Sequence, residues 1–516
     1  MMEEYLKYLS TEEQKTIQLK ALFQHHHFQR YYLSAFESYD VYVQSRNYQA
    51  EQEVITFIGS NGQVMALKPD ITLSIIQNTG ADEAKRCFYD EDVYRHDYKN
   101  QEYRRIHQLG IEQIGRLSLT DEQEILQLAM DSLKLLGQGQ IAFSHRRLLD
   151  EMLTWFDDKQ KGTVLQALKQ KAIHELKKLT LLHSFSDEKW QLLQKLLFTE
   201  EAVLQQIEDA LMLFNDSASQ QVLNNLKQLM QTLPKQVFRL DLSIIDDKDY
   251  YSGLIFHGFL PDVASPVLIG GRYDQLLSRQ GKQQQGIGFA VYLDEQLFHP
   301  ASLSLTAVKD DYVKVALPKG RMAEKVYQCF VEANLCAENI LQANRQLIFT
   351  DEMNKLQFFL VKPSDVAIYV EHGVADIGVV GKDVLLESTP DVLELLDLKM
   401  GRCFLAIAGQ KNQQVDQTRA LKVATKYPQI TRNHFSAHGQ AVELIQLHGS
   451  IEVAPLLGLA DVIVDIVETG QTLKENHLSV LQKIADSSAR LVANQTAYRF
   501  KGKKINEIVQ KVAKQL

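Results

Sequence analysis

Between Val462 and Leu473 the chain reads V-I-V-D-I-V-E-T-G-Q-T-L. The run Val462–Val467, mostly β-branched, predicts a buried strand, because such side chains pack well on a pleated surface. Glu468-Thr469-Gly470-Gln471-Thr472 then makes the turn, and L-K-E-N beyond it can start a helix. A strand that turns through small residues into a helix start presents backbone N–H groups without intrahelical acceptors, at the positive end of a dipole. Such a loop can hold a phosphate, and the hydroxyls of Thr469 and Thr472 add donors. Asp465 and Glu468 stand where carboxylates can face ribose hydroxyls or a Mg²⁺ ion. This is the chemistry of a sugar phosphate. Taken alone, the segment is more often an ordinary strand–turn–helix with a glycine at its corner, so its meaning depends on the rest of the chain.

A second concentration of charge lies at Leu317-Pro318-Lys319-Gly320-Arg321. Two cations at the end of a short apolar strand suit a pyrophosphate, although a K-G-R turn by itself is more often solvated surface. Other chemically active side chains carry less. His25-His26-His27 point in different directions on a helix and read as a solvated face rather than a metal site. Cys403 in G-R-C-F reads as a small packed residue.

The elements that must position these groups divide into two grammars. Residues 3–38 read as helix. Residues 39–76 read as strands, V-Y-V-Q, V-I-T-F-I and a return strand V-M-A-L-K-P-D-I-T-L across an Asn61-Gly62 hairpin turn. Two further strands flank a polar loop at Asp97–Gln101, so an antiparallel sheet dominates. From Asp121 to about Lys235 leucines recur at three- and four-residue spacing, which predicts a helical insertion. Strand signals return at V-F-R-L-D-L-S-I-I, and a linker without periodicity follows near 301–311. Beyond it, short apolar strands alternate with amphipathic stretches, the pattern of an α/β sheet covered on both faces.

Composition sets the outer bounds. At 516 residues the chain exceeds one core, and length alone favours three to four compact units of roughly 150 residues each. A net charge of −9 offers no general footprint for nucleic acid or an anionic membrane. The four cysteines are scattered without a C-x-x-C pair, as reduced thiols of a cytoplasmic protein would be. The N-terminus lacks the basic and apolar regions of a secretory signal, and no apolar run of about 18 residues predicts a membrane span.

The C-terminal segments gain meaning together. L-P-K-G-R (317–321), V-K-P-S-D-V-A-I-Y-V-E-H-G-V-A-D-I-G-V-V-G-K-D-V-L-L-E (361–387), V-A-T-K-Y-P (423–428) and H-G-S-I-E-V-A-P-L-L-G-L-A-D-V-I-V-D-I-V-E-T-G-Q-T-L (448–473) resemble, in order and spacing, the short form of ATP phosphoribosyltransferase, the first enzyme of histidine biosynthesis. The resemblance covers 312–516. It implies an α/β, two-lobed unit like periplasmic binding proteins, with lobe 1 at about 312–402 plus 486–516 and lobe 2 at about 403–485. It also implies that Asp465 and Glu468, Thr469, Gly470, Gln471 and Thr472 hold the ribose 5-phosphate of phosphoribosyl pyrophosphate, and that Glu452 approaches the ribose. Lys319 and Arg321 would meet phosphate charge, and Arg345 and Lys362 would partner ATP phosphates. At Lys362 the family usually has arginine, so a bidentate fork becomes a point charge; the family's D-V-P-x-Y-V is here D-V-A-I-Y-V, without the proline. Mg²⁺ would enter on the substrate phosphates rather than in a protein cage.

The N-terminal part is similar to another family. L-K-P-D-I-T (67–72), Y-D-E-D-V-Y-R (89–95), H-Q-L-G-I-E-Q-I-G (107–115), D-Y-Y-S-G (249–253), G-G-R-Y-D (270–274) and G-I-G-F-A (286–290) resemble the catalytic domain of histidyl-tRNA synthetase. This implies an α+β, antiparallel-sheet, class II aminoacyl-tRNA-synthetase-like domain over 1–300, with the helical insertion at about 121–235. It further implies a histidine pocket lined by Asp70, Thr72, Gln108, Glu112, Tyr250 and Tyr251, with Arg95 at the position that meets ATP and adenylate. Two departures argue against amino-acid activation: Asp246 stands where synthetases carry an arginine before D-Y-Y, and the final motif reads Tyr292-Leu293-Asp294-Glu295-Gln296 instead of ending in arginine. Acids in place of arginines would repel ATP phosphates.

Joined, the two resemblances imply a fusion of a synthetase-like regulatory subunit with a short-form transferase that ends at Leu516 without a further regulatory domain. The expected partners are ATP, phosphoribosyl pyrophosphate and histidine as feedback effector, in a cytoplasmic homo-oligomer that binds neither nucleic acid nor membrane. Three rivals make different predictions. An active synthetase domain predicts histidine-dependent ATP–pyrophosphate exchange, a solute-binding module predicts no turnover, and a type I phosphoribosyltransferase, suggested by D-x-V-x-T-G-x-T, predicts one lobe with a hood.

Overall fold

The structure is a computed structural model that describes residues 8–43, 54–97, 102–180, 186–198, 201–246, 250–293, 312–337, 346–411 and 419–516. The chain forms two compact units, Met1–Ala307 and Val308–Leu516, fewer than its length alone suggested, because the second unit carries two sheets.

The first unit is built on an eight-stranded sheet. Its order is Gln29–Arg30, Lys85–Asp97, Glu102–Gly115, Gln285–Tyr292, Leu268–Arg272, Leu254–Phe259, Gln140–His145 and Phe238–Leu240. The strands from Lys85–Asp97 to Gln140–His145 pair antiparallel, and the two short outermost strands pair parallel. A separate small sheet joins Phe36–Ser38, Val64–Leu67 and Thr56–Ile58.

Four expectations about this unit need correction. The first helix covers only Thr11–His25. Ser10 and Glu13 cap it reciprocally, and His27, at φ 62°, carries the chain out of helical geometry. The segment expected as V-Y-V-Q strand is a helical turn at Asp40–Val43, and the latter part of the expected return strand is the helix Ile71–Gln77. There Asp70 accepts the Leu73 N–H at 2.9 Å as the N-cap, so capping overrides an alternating pattern that would also suit a strand. Finally, Gln140–His145 is a strand inside the expected helical insertion. The inserted helices run from Arg146–Leu153 to Ser217–Thr232 and share one apolar core with the helix Leu119–Leu136 and the sheet.

The second unit holds a six-stranded sheet, Ile348–Asp351, Leu356–Val361, Val313–Pro318, Ile377–Gly381, Ala489–Ala493, Leu393–Asp397, and a five-stranded sheet, Val442–Gln446, Leu421–Thr425, Val462–Val467, Cys403–Gln410, Leu478–Ser487. Both are mixed. Three neighbouring strands run parallel in each, and the remaining strands pair antiparallel. The chain crosses between the sheets at 398–402 and again at Ser488. These crossings are bonded to each other: the Leu398 N–H donates to Ala489 O and the Ala489 N–H to Met400 O, both at 2.9 Å. Apolar side chains of the helix Val366–Glu371 pack against Ala316, Val380 and Val492 of the six-stranded sheet.

Candidate functional site

In the first unit the long antiparallel strands and the capped helix Ile71–Gln77 enclose a cavity of about 270 Å³. All seven residues expected around a histidine, Asp70, Thr72, Arg95, Gln108, Glu112, Tyr250 and Tyr251, line it. The volume is just below the range of about 300–1,000 Å³ typical of drug-sized ligands and suits a single amino acid. Glu112 is the most buried acid here, 2% exposed, and accepts the Thr72 hydroxyl at 2.5 Å and the Tyr273 hydroxyl at 2.6 Å. Burial pushes its carboxyl up to about 8, the two hydroxyls oppose the rise, and the charge of Asp70 adds to it. Asp70 lies within 3.4 Å of the Tyr250 hydroxyl. Arg95 is held by its Nε–H, which donates to Pro69 O at 3.0 Å.

Sequence reasoning left several wall residues unassigned. Tyr89, Tyr273, Gly288 and Tyr292 also line the cavity. All four lie in or beside motifs quoted above, and strand alternation from neighbouring pocket residues was the signal available. Burial raises the phenols of Tyr89, Tyr250, Tyr251, Tyr273 and Tyr292 above their ordinary range, so they act as neutral donors and ring walls. Asp246 lines the same cavity, and its carboxylate accepts the Tyr251 N–H at 2.8 Å. The second acidic replacement, Asp294-Glu295, lies outside the described residues.

In the second unit the candidate residues gather at the carboxyl ends of parallel strands, the customary place for ligands in open α/β sheets. Lys319 and Lys362 follow the paired strands Val313–Pro318 and Leu356–Val361, and the Lys319 N–H donates to Val361 O at 2.7 Å. Arg321 opens the helix Arg321–Glu332. All three cations are exposed. Arg345 lies outside the described residues.

On the five-stranded sheet, Asp465 sits half-buried near the end of Val462–Val467, which is a strand as expected. The following helix spans Gln471–Glu475 and so starts earlier than expected, placing Gln471 and Thr472 in its first turn. Gly470 precedes it at φ 72°, a left-handed conformation that glycine adopts without steric cost. Glu468, Thr469, Gln471 and Thr472 are exposed. Burial raises the Asp465 carboxyl above the aspartate range; Glu452 and Asp383 add to the rise, while the Ile466 N–H and Lys426 oppose it. Glu452 is thus brought near Asp465 by the fold. Lys426, Tyr427 and Asp383 belong to the same neighbourhood and were not singled out from sequence, although K-Y-P and G-K-D stand in the quoted segments.

A synthetase-like sheet with an amino-acid-sized cavity, followed by an α/β unit with carboxylates and cations at its strand ends, defines a two-part enzyme in which a binding domain precedes a transferase. Comparison with known proteins agrees. The histidyl-tRNA synthetase family model matches residues 6–295, more than half of the chain, and the ATP phosphoribosyltransferase family model matches 362–514. ATP phosphoribosyltransferase of Brachyspira hyodysenteriae is 50% identical over 201 residues, covering 39% of this chain and 98% of the relative. That of Clostridioides difficile is 48% identical over 201 residues, covering 39% and 96%. A crystal structure described as an ATP phosphoribosyltransferase regulatory subunit/histidyl-tRNA synthetase from Bacillus halodurans matches with a TM-score of 0.50 at 21% identity, over 63% of this chain and 85% of that one; it shows the fold. The chain therefore belongs to the ATP phosphoribosyltransferase family through its second unit and to the histidyl-tRNA synthetase family through its first. It is a fusion of the two and a phosphoribosyl-transferring enzyme.

Proposed function

We propose that the phosphoribosyl group passes from phosphoribosyl pyrophosphate to N1 of the adenine of ATP at the strand ends of the second unit, and that histidine in the cavity of the first unit governs the rate. The products are N1-(5-phosphoribosyl)-ATP and pyrophosphate, the first step of histidine biosynthesis. A displacement at ribose C1 with oxocarbenium character needs positioning and charge stabilisation more than a covalent nucleophile. In this reading Asp465 and Glu452 orient the ribose hydroxyls. Glu468, Thr469, Gly470, Gln471 and Thr472 hold the 5-phosphate through backbone N–H groups and hydroxyls. Lys319 and Arg321 take the charge of the departing pyrophosphate, and Lys362 and Arg345 serve the ATP phosphates.

Mg²⁺ would enter on the substrate phosphates rather than in a protein cage. Burial, with Glu452 and Asp383, raises the Asp465 carboxyl and Lys426 opposes them, so the negative charge at this strand end suits a hard divalent cation carried in on the substrate phosphates. Asp465 and Glu452 would face the ion while the substrate phosphates supply most of its ligands. Bound there, it would neutralise the leaving pyrophosphate.

The regulatory half of the reading rests on one observation: seven residues spread from Asp70 to Tyr251 line a single cavity. Its acids suit an α-ammonium and an imidazole, and its tyrosines wall a ring. Asp246 in that wall supports binding without activation, since a carboxylate there opposes an ATP phosphate. Feedback requires that histidine bind one conformation of the chain better than another. The unit of residues 312–516 would act as a two-lobed, periplasmic-binding-protein-like body, with the lobes at about 312–402 plus 486–516 and 403–485, in a cytoplasmic homo-oligomer. No helix among the described residues is long and apolar enough to cross a membrane. The test is product formation from ATP and phosphoribosyl pyrophosphate during a histidine titration. Inhibition is expected, together with no histidine-dependent ATP–pyrophosphate exchange; full activity at millimolar histidine would remove the regulatory reading and leave the catalytic one standing.

A further inference from the structure

Asp383 lies in the first turn of the helix Lys382–Ser388, which follows a strand of the six-stranded sheet, and is 8% exposed. Its two oxygens have separate tasks. Oδ1 accepts the Ser487 hydroxyl at 2.8 Å, next to the crossing between the two sheets. Oδ2 accepts the Tyr427 hydroxyl at 3.1 Å, and Tyr427 follows a strand of the five-stranded sheet. The carboxylate also folds back over Gly381, where an added Cβ would stand 2.3 Å from Oδ1. Four residues along the same helix, Glu387 accepts the N–H groups of Gln429 at 2.9 Å and Ile430 at 3.0 Å. One short helix of the six-stranded sheet thus grips, through two carboxylates, Tyr427 and the first turn of the helix Pro428–Ala437 beside the five-stranded sheet.

Tyr427 leads to the proposed ribose site. The Tyr427 N–H donates to Thr425 Oγ1 at 2.8 Å, and the Thr425 hydroxyl donates to Val464 O at 2.8 Å. Val464 immediately precedes Asp465. Lys426, between Thr425 and Tyr427, draws the Asp465 carboxyl down while Asp383 pushes it up, so the turn and the helix both act on the charge of Asp465. Asp383 thus joins the two sheets through a buried carboxylate that is bonded on both sides.

We propose that Asp383 and Tyr427 form one positioning pair for the transferase, which fixes the Lys426-Tyr427 turn against Asp465 and so orients the ribose of phosphoribosyl pyrophosphate. The inference rests on the assignment of Asp465 to the ribose. Neither residue needs to touch the substrate. The pair acts through the strand end that it holds and sets the spacing between the cations of one sheet and the carboxylates of the other.

The test is steady-state kinetics of the full chain for Tyr427→Phe, Asp383→Asn, the double variant and Asp465→Asn, with thermal unfolding measured alongside. Tyr427→Phe keeps the ring and should leave the unfolding midpoint near wild type while raising KM for phosphoribosyl pyrophosphate about tenfold, with KM for ATP unchanged. Asp383→Asn should do the same, and the double variant should be no worse than either single one, as expected for two members of one bond. Unchanged KM values in Tyr427→Phe, or losses that multiply in the double variant, would overturn the pairing. If Asp383→Asn does not fold, Tyr427→Phe alone decides. A wild-type Asp465→Asn would remove the ribose assignment itself; an impaired Asp465→Asn beside a wild-type Tyr427→Phe would remove only this inference.

Discussion

A Cβ on Gly288 would stand 2.0 Å from Glu112 Oε2, so a carboxylate lining the cavity of the first unit occupies the space a side chain would take. Gly288 and Glu112 face each other in register on neighbouring antiparallel strands. The second G of G-I-G-F-A thus exists for close approach rather than for a turn. Gly288→Ala is expected to displace Glu112 and weaken histidine inhibition about tenfold or more. Transfer in the absence of histidine should stay near wild type, and a histidine dose–response of the variant checks both.

Glu112 also makes a pH prediction. Its carboxyl is raised by burial from 4.5 to about 8. Between these values the folded state keeps a proton that the unfolded state has released, so its contribution to stability falls as pH rises and levels off above about 8. Glu112→Gln cannot titrate. Urea unfolding of both proteins should therefore show the variant gaining relative to wild type from acid to mildly alkaline pH; a constant difference across that range would show that the carboxyl is not raised.

Asp465→Asn should separate turnover from folding. Removing a half-buried carboxylate from beside Glu452 and Asp383 relieves repulsion, so the thermal midpoint should hold or rise. If Asp465 serves the ribose as proposed, loss of its charge should lower kcat/KM for phosphoribosyl pyrophosphate about a hundredfold or more. Wild-type kinetics in this variant would mean that the loop 468–472 holds something else.

Lys319 and Lys362 stand at adjoining strand ends, and both are exposed. Lys319→Ala should raise KM for phosphoribosyl pyrophosphate and Lys362→Ala that for ATP, each about tenfold at low salt. Exposed charges are screened within about 8 Å at physiological ionic strength, so both effects should shrink as salt is added. Penalties that ignore salt would assign these lysines to packing.

Much of this was legible in the residues, for identifiable reasons. Val462–Val467 announced itself because β-branched runs suit a buried strand, and the cavity of the first unit was readable because its motifs keep their residue types. The segment P-D-I-T-L misled because its alternating apolar residues also suit a strand, and the Asp70 cap decided for helix. Gln140–His145 was hidden by length, six residues between leucine-rich helices. Asp383 and Tyr427 could not be paired from sequence, since 44 positions separate two residues that meet only when both sheets are folded. Local grammar specifies elements; a hydrogen bond between distant turns is a tertiary fact.

The central claim, that one chain transfers the phosphoribosyl group and is restrained through its synthetase-like cavity, is tested most directly by a paired measurement. The initial rate of N1-(5-phosphoribosyl)-ATP formation is followed against histidine for the full chain and for Gly288→Ala. The account predicts matching rates without histidine, inhibition of the wild type, and a variant that stays active at histidine concentrations that silence its parent. A wild type indifferent to histidine, or two proteins inhibited alike, would contradict it.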